Sequence, residues 1–136
     1  MNSPTAVAFT SFIAWSLALL VLMEAVRSKM VLAKEIPANG FTPDNAGLSP
    51  FMKRLARAHA NCLEGLPIFG GLMLIALITG RSSITDPLAF VLLAARVAQS
   101  GIHLCSVSST AVTLRFSAFA VQMAIAIYWS FRLLAG

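Results

Sequence analysis

The sequence predicts an all-α membrane protein, folded as an antiparallel bundle of four transmembrane helices. Of its 136 residues, 58% are hydrophobic and only 11% are charged, which is less than half the charged fraction of an average soluble domain. In addition, four apolar segments approach or exceed the length of about 20 residues that crosses the hydrocarbon core of a bilayer. A soluble domain of this size could not cover so much apolar surface, so an integral, multi-pass membrane protein is expected.

The four spans form one domain, residues 1–136, joined by one long polar loop and two short turns. The predicted spans cover residues of about 5–32, 50–79, 87–104 and 111–134, and the loop covers about 33–49. The first span has no charged residue before Glu24 and lacks the basic N-terminal region of a signal peptide. It is therefore predicted to remain as a transmembrane helix.

Local signals mark where the later helices begin and bend. Ser49 and Pro50 are typical of an N-cap and of the first helical turn, respectively. Pro67 is expected to bend the second helix, because proline has no N–H to donate within a helix. The segment Thr85–Pro87 is predicted to cap the third helix.

The basic residues predict an orientation in the membrane. Six of them flank the first loop: Arg27, Lys29, Lys34, Lys53, Arg54 and Arg57. Because basic residues favour the cytoplasmic side, we expect this loop in the cytoplasm and both termini on the opposite side. Cysteines introduced singly at Asn39 and Gly136 and labelled in intact cells test this topology, and labelling of the Asn39 site from outside would contradict it.

A polar stripe runs along the first half of the second span. At about 100° per residue, Arg54, Arg57, Asn61 and Glu64 fall within about 80° of one another, whereas His59 lies almost opposite. Each charge at membrane depth costs at least ~2.5 kcal/mol on insertion scales. The stripe must therefore face other protein groups or a water-filled cavity.

A second polar stripe lies on the third span. Arg96, Gln99 and His103 share one helical face, and Arg115 and Gln122 lie along the fourth span. These groups are expected to converge with the first stripe near the cytoplasmic boundary.

Two interpretations of the stripes are open. They could simply pair helices through hydrogen bonds. Alternatively, Arg54, Arg57, Arg96 and Arg115 have only Glu64 within the second, third and fourth spans to balance them, so the surplus could bind a soluble anion. A transporter or channel is a third class, although no inverted repeat is evident.

The two cysteines lack metal-ligand spacing, and no basic and aromatic pattern indicates nucleic-acid binding.

The stretch RLARAHANCLEGLP, residues 54–67, resembles the second-helix motif of the membrane-associated proteins in eicosanoid and glutathione metabolism, the MAPEG family, of bacterial type. The residues that match are Arg54, Arg57, Ala58, His59, Asn61 and Glu64. The stretch ARVAQSGIH is similar to the arginine motif of the family's third helix. The resemblance extends over the four spans and the long first loop.

The resemblance implies a homotrimer that binds glutathione between subunits near the cytoplasmic side and takes a lipophilic acceptor from the bilayer. It implies a transferase or peroxidase acting on lipophilic electrophiles. Arg115 would be the catalytic group near the thiol. The residues implied to bind glutathione are Arg57, Asn61, Glu64, Arg96, His103 and Arg27.

The chain departs from the family pattern at five positions, which are Ala60, Gln99, His103, Phe116 and Phe119. These positions carry polar or aromatic hydrogen-bonding side chains in family enzymes of the prostaglandin synthase type. The alternative that remains open is a non-catalytic subunit of the same fold, acting as an accessory or interaction partner in a larger membrane assembly.

Overall fold

The computed structural model describes residues 3–136 and is helical apart from the long loop of residues 33–49 and a few short connections. The elements in chain order are α1 (Pro4–Leu32), α2 (Pro50–Gly65), a π-helical turn (Leu66–Gly70), α3 (Gly71–Ile78), a 3-10 turn (Ser82–Ile84), α4 (Asp86–Cys105) and α5 (Ser109–Leu134). Taken together, α2, the π-helical turn and α3 form one continuous span. Four helical stretches are thus long and apolar enough to cross a membrane, which confirms the predicted all-α class with four candidate spans.

Serine side chains begin two of the spans. The Ser49 hydroxyl accepts a hydrogen bond from the Met52 N–H at 3.3 Å, with Pro50 in the first turn, so the predicted start of α2 is confirmed. Ser108 caps α5 in the same way, accepting from the Ala111 N–H at 3.2 Å. Each cap satisfies a backbone donor that the first helical turn leaves free.

The start of α4 differs from the prediction, because the Thr85 side chain does not cap its own helix. Its hydroxyl instead bonds the Thr5 hydroxyl at 2.7 Å and donates to the Ser82 carbonyl at 3.1 Å. The Asp86 carboxylate accepts from the hydroxyls of Ser3 and Thr5 at 2.7 and 2.6 Å, and from the Thr5 N–H at 3.0 Å. A polar cluster therefore ties the start of α1 to the start of α4.

The second span is irregular where Pro67 lies. Proline cannot donate a backbone hydrogen bond to the preceding turn, and the chain widens there into the π-helical turn Leu66–Gly70. Phe69 and Gly70 are both buried in this turn. The sequence predicts a bend at Pro67, and the structure has a π-helical turn there, with Phe69 buried in the bundle.

The long loop is held against α1 by two side chains. Arg27 donates from Nε and Nη2 to the Asn45 side-chain oxygen at 3.0 and 2.5 Å, and from Nη2 to the Thr42 carbonyl at 3.0 Å. Asn45 is fully buried and donates to the Met52 carbonyl at 2.7 Å. Because the loop is fixed at both α1 and α2, it orients the first turn of α2.

Helix α4 is central, since it packs against α1, α2 and α5. Two apolar clusters form the core of the bundle. The first joins α1, the second half of span two, α4 and α5, and consists of Ala8, Phe12, Phe69, Met73, Ala89, Leu92, Ile125, Ala126 and Trp129. The second joins α1 to α2 nearer the loop, and consists of Leu19, Met23, Met52, Leu55, Ala56, Ala58 and Cys62. Buried polar groups of α4 contact both clusters, because Arg96 lies against Phe12 and Phe69 of the first and Ser100 lies against Cys62 of the second.

Candidate functional site

A cavity of about 370 Å³ lies at the loop end of the bundle, where α2, α4 and α5 meet. We call it the basic cavity, because four of its lining side chains are cationic and none is a carboxylate. Its lining residues are Pro50, Lys53, Arg54, Arg57, His103, Val107 and Arg115. Three residues implied by the family resemblance, Arg57, His103 and Arg115, are thus brought together from three helices. Such a concentration of positive charge at a cavity favours an anion.

The cations of this cavity have few partners of their own. Arg54 donates from Nε to the Leu104 carbonyl at 2.8 Å. Arg115 has its Nε buried without a hydrogen-bond partner anywhere in residues 3–136. A buried donor that lacks an acceptor costs about 1–3 kcal/mol, and more when it is charged. A ligand that accepts a hydrogen bond from Arg115 would therefore offset this cost.

A second, larger cavity of about 720 Å³ adjoins the first along α2 and α5. We call it the apolar cavity. Its lining residues are Asn61, Glu64, Gly65, Ile68, Phe69, Phe119, Met123, Ala126, Ile127, Ser130, Phe131 and Leu134. The two cavities are neighbours, because residues four apart on a helix are adjacent: Arg57 precedes Asn61 by four residues, and Arg115 precedes Phe119 by four. We refer to both together as the α2–α5 groove.

The groove contains residues that the sequence analysis did not select. Lys53 adds a cation to the basic cavity, and it precedes Arg57 by four residues, a spacing that could have revealed it. On α5, Phe119, Met123 and Ile127 are also spaced by four residues and form one wall of the apolar cavity. Helical spacing alone does not separate such a wall from an ordinary lipid-facing surface, which is why Met123 and Ile127 were missed and Phe119 was noted only as a departure from the family pattern.

Glu64 lies apart from the arginines of the basic cavity. It lines the apolar cavity rather than the basic one and is exposed. Across residues 3–136 the only ion pair joins Arg27 to Glu24, at 2.9 Å on α1. Glu64 therefore forms no ion pair with an arginine within the described chain, and its carboxylate is free to meet a ligand or another subunit.

Arg96 lies in the interior of the bundle rather than at the boundary. It is fully buried near the middle of α4, with its guanidinium carbon 5.4 Å from the centre of the Phe12 ring and 5.5 Å from that of Phe69. Nη1 donates to the Asn61 carbonyl at 3.3 Å, whereas Nε and Nη2 have no hydrogen-bond partner within the described chain. Arg96 lines neither cavity, and its hydrogen bond to the Asn61 carbonyl joins it to the backbone of α2.

The close approach of Arg96 to α2 requires Gly65. A methyl group added at this glycine would lie 2.6 Å from Arg96 Nη2 and 3.0 Å from the Phe69 ring. Since Gly65 also lines the apolar cavity, the guanidinium sits directly behind one wall of the groove.

The remaining polar groups of α4 pair helices with one another. Gln122 donates to the Gln99 side chain at 2.9 Å, and the Ser100 hydroxyl and the Cys62 sulfur are 3.3 Å apart. For this part of the second stripe, interhelical hydrogen bonding is the correct interpretation. Only the loop-side end of the stripe, at His103, reaches the basic cavity.

Arg27 and His59 lie outside the groove. All three guanidinium nitrogens of Arg27 already bond Glu24, Thr42 or Asn45, and Arg27 lines a different cavity, of about 500 Å³, beside α1. His59 is half-buried on the side of α2 that faces Glu24 and Arg27. Within one chain the structure therefore separates Arg27 from the other residues implied to bind glutathione.

Two phenylalanines of α5 follow Arg115. Phe119 contacts Phe69 edge to face, with ring centres 6.4 Å apart at 78°, and lines the apolar cavity. Phe116 is exposed. Neither ring can donate a hydrogen bond to a ligand beside Arg115, so the arginine is the polar group that α5 offers at this end of the groove.

The comparisons with known proteins give one match. The MAPEG family model matches residues 5–135, nearly the whole chain. No curated protein matches the chain, and no solved structure matches it.

Proposed function

The chain belongs to the MAPEG family, and from this premise we propose that it is a glutathione-dependent membrane transferase or peroxidase acting on lipophilic electrophiles. The observation that carries the proposal is the α2–α5 groove, in which a basic cavity without a carboxylate adjoins an apolar cavity. The polar half suits an anionic, soluble peptide, and the apolar half suits a molecule that enters from the bilayer.

Glutathione has two carboxylates, one ammonium group and a thiol. Arg57, which is exposed in the basic cavity, can bind a carboxylate through two parallel hydrogen bonds. Glu64 offers a free carboxylate for the ammonium group, and Asn61 can both donate and accept at a peptide link. His103 contributes to the wall between α2 and α5, and Arg96 positions Asn61 from behind through its backbone carbonyl.

Arg115 is the proposed catalytic residue. Bound glutathione supplies a thiolate nucleophile, and a free cysteine thiol has a pKa near ~8.5. A guanidinium within about 4–6 Å favours the charged form by roughly 1–3 pKa units. The unpartnered Nε of Arg115 makes this side chain available for that role. The acceptor would then occupy the apolar cavity beside Phe119.

We further propose that the working unit is a homotrimer with the site shared between subunits. Two features support sharing: the unpaired carboxylate of Glu64, and an apolar surface on α1 that exposes Leu17, Val21 and Leu22. Arg27 does not reach the groove of its own chain, but it could reach the groove of a neighbouring subunit. A detergent-corrected mass equal to that of a monomer would contradict this assembly.

Calorimetric titration of the purified protein with glutathione tests the proposal, and Glu64→Gln makes the test specific. A lost charge-assisted hydrogen bond is worth about 1.5–3 kcal/mol, so we expect glutathione to bind about 10- to 150-fold more weakly. Stability should change by no more than about 0.5 kcal/mol, because Glu64 is exposed and unpaired. Glu35→Gln, in the exposed loop, is the matched control and should bind as the parent does.

A non-catalytic accessory subunit is the second candidate. It is favoured by Phe116 and Phe119, which leave the thiol position without a hydroxyl donor from α5. Titration of thiolate absorbance separates the two candidates, because a subunit that lacks thiol activation could still bind glutathione but would form no thiolate near neutral pH. Absence of any heat of glutathione binding would also favour the accessory subunit.

A further inference from the structure

The basic cavity holds more positive charge than glutathione can balance. Four cationic side chains line it, Lys53, Arg54, Arg57 and Arg115, whereas glutathione with its two carboxylates and one ammonium group carries a net charge of about −1 near neutral pH. The proposed function assigns Arg57 and Arg115 to glutathione. In residues 3–136, Lys53 and the two terminal nitrogens of Arg54 have no hydrogen bond or ion pair, although the Asp44 carboxylate of the loop is close enough to act on Lys53 electrostatically.

These two residues lie at the rim of the groove, where it meets the loop side of the membrane. Lys53 is in the first turn of α2 and is exposed. Arg54 is half-buried and fixed through Nε on the Leu104 carbonyl. A fixed arginine beside an exposed lysine suits a phosphate group, which an arginine can bind through two parallel hydrogen bonds.

The groove continues from this rim into apolar surface. Met123 lies eight residues beyond Arg115 on α5, which corresponds to a depth of about 12 Å. That depth is within one leaflet, because the hydrocarbon core is about 30 Å thick in total. A molecule with a phosphate at Lys53 and Arg54 therefore has room for an acyl chain as far as Met123.

We propose that the α2–α5 groove binds an anionic phospholipid of the leaflet surrounding the first loop, with its phosphodiester on Lys53 and Arg54 and one acyl chain in the apolar cavity. The cationic side chains of Lys53 and Arg54 favour an anionic headgroup, and the apolar cavity accommodates an acyl chain of the same lipid. Such a lipid competes with the lipophilic acceptor for the apolar cavity, whereas glutathione keeps Arg57 and Arg115. The lipid site itself does not require that glutathione binds.

The headgroup is tested by native mass spectrometry of protein released from nanodiscs that contain phosphatidylglycerol and phosphatidylcholine in equal amounts. The parent should retain phosphatidylglycerol in preference to phosphatidylcholine. Lys53→Gln should lower the retained phosphatidylglycerol about fivefold, the effect expected for one basic residue. Lys29→Gln removes an exposed lysine at the end of α1 and should have no effect.

The acyl chain is tested by filling the apolar cavity. Met123→Trp should reduce phosphatidylglycerol retention to a similar extent. Val121→Trp is the matched control, because Val121 is exposed on α5 at nearly the same depth but does not line the groove. Helix content and oligomeric mass are compared for all variants, so that a folding defect is recognised.

Three results would overturn the proposal. Equal losses in Lys53→Gln and Lys29→Gln would mean general attraction to the membrane surface. Normal retention in Met123→Trp would mean that no chain enters the groove. Displacement of the lipid by inorganic phosphate alone would mean a site for free anions. Because glutathione binding is measured separately, failure of the lipid site leaves the proposed enzymatic function untouched.

Discussion

Replacing Arg115 by alanine is expected to lower the thiolate fraction of bound glutathione at pH 7 by about 10-fold or more. The guanidinium favours the charged form of the thiol, so it lowers the thiol pKa, and its removal raises that pKa by roughly 1–3 units. The thiolate that was present at neutral pH should then appear only at higher pH. Titration of thiolate absorbance against pH, with glutathione saturating each variant, measures the shift directly.

The control for this substitution is Arg132→Ala on the same helix. Arg132 lies in the last turn of α5 and donates to the Tyr128 hydroxyl at 2.9 Å, far from the basic cavity. It should leave the thiol pKa unchanged. If Arg115→Ala forms thiolate as the parent does, another group activates the thiol. If the parent forms no thiolate, the accessory-subunit interpretation is favoured, with Phe116 and Phe119 as the physical reason.

The helices could be predicted closely from the sequence, because hydropathy, proline and serine act locally. Ser49 and Pro50 mark a helix start through hydrogen bonds that involve only the next turn. Pro67 marks an irregularity because its missing N–H affects only the preceding turn. By contrast, Thr85 is drawn to Thr5 on a different helix, which no local rule can anticipate.

The candidate site was predicted less completely. Helical spacing shows on which face of a helix a side chain lies, but it does not show how deeply the side chain is buried or which residue of another helix it meets. The stripe on α2 is one surface, yet it divides between the basic cavity at Arg57 and the apolar cavity at Asn61 and Glu64. The stripe on α4 divides as well, with His103 at the cavity and Gln99 bonded to another helix. Which polar groups meet depends on how the helices cross, and this is a property of the packed bundle.

Arg96 shows this limit most clearly, since an arginine in a membrane span is expected to pair with an anion or reach water. It does neither within the described chain. The guanidinium is fully buried, lies against the rings of Phe12 and Phe69, and makes one hydrogen bond, to the Asn61 carbonyl. Contact of the cation with two aromatic faces offsets part of its desolvation cost, and Gly65 provides the space for it.

We therefore expect Arg96→Ala to destabilise the protein by about 2–5 kcal/mol, the range for truncating a large buried side chain. Arg96→Met should recover most of this loss, because methionine fills a similar volume and its sulfur packs well against aromatic rings. The free energy of unfolding in mixed micelles, measured by titration with a denaturing detergent, compares both variants with the parent.

The comparison of the two variants decides whether Arg96 contributes by volume or by charge. Replacing a desolvated charge with an apolar side chain of similar size is often neutral or stabilising, whereas removing one member of a buried ion pair costs about 3–5 kcal/mol. If Arg96→Met is as unstable as Arg96→Ala, the charge itself is required. Glu64, the only carboxylate among the lining residues of the groove, would then be the first partner to test by a double-mutant cycle.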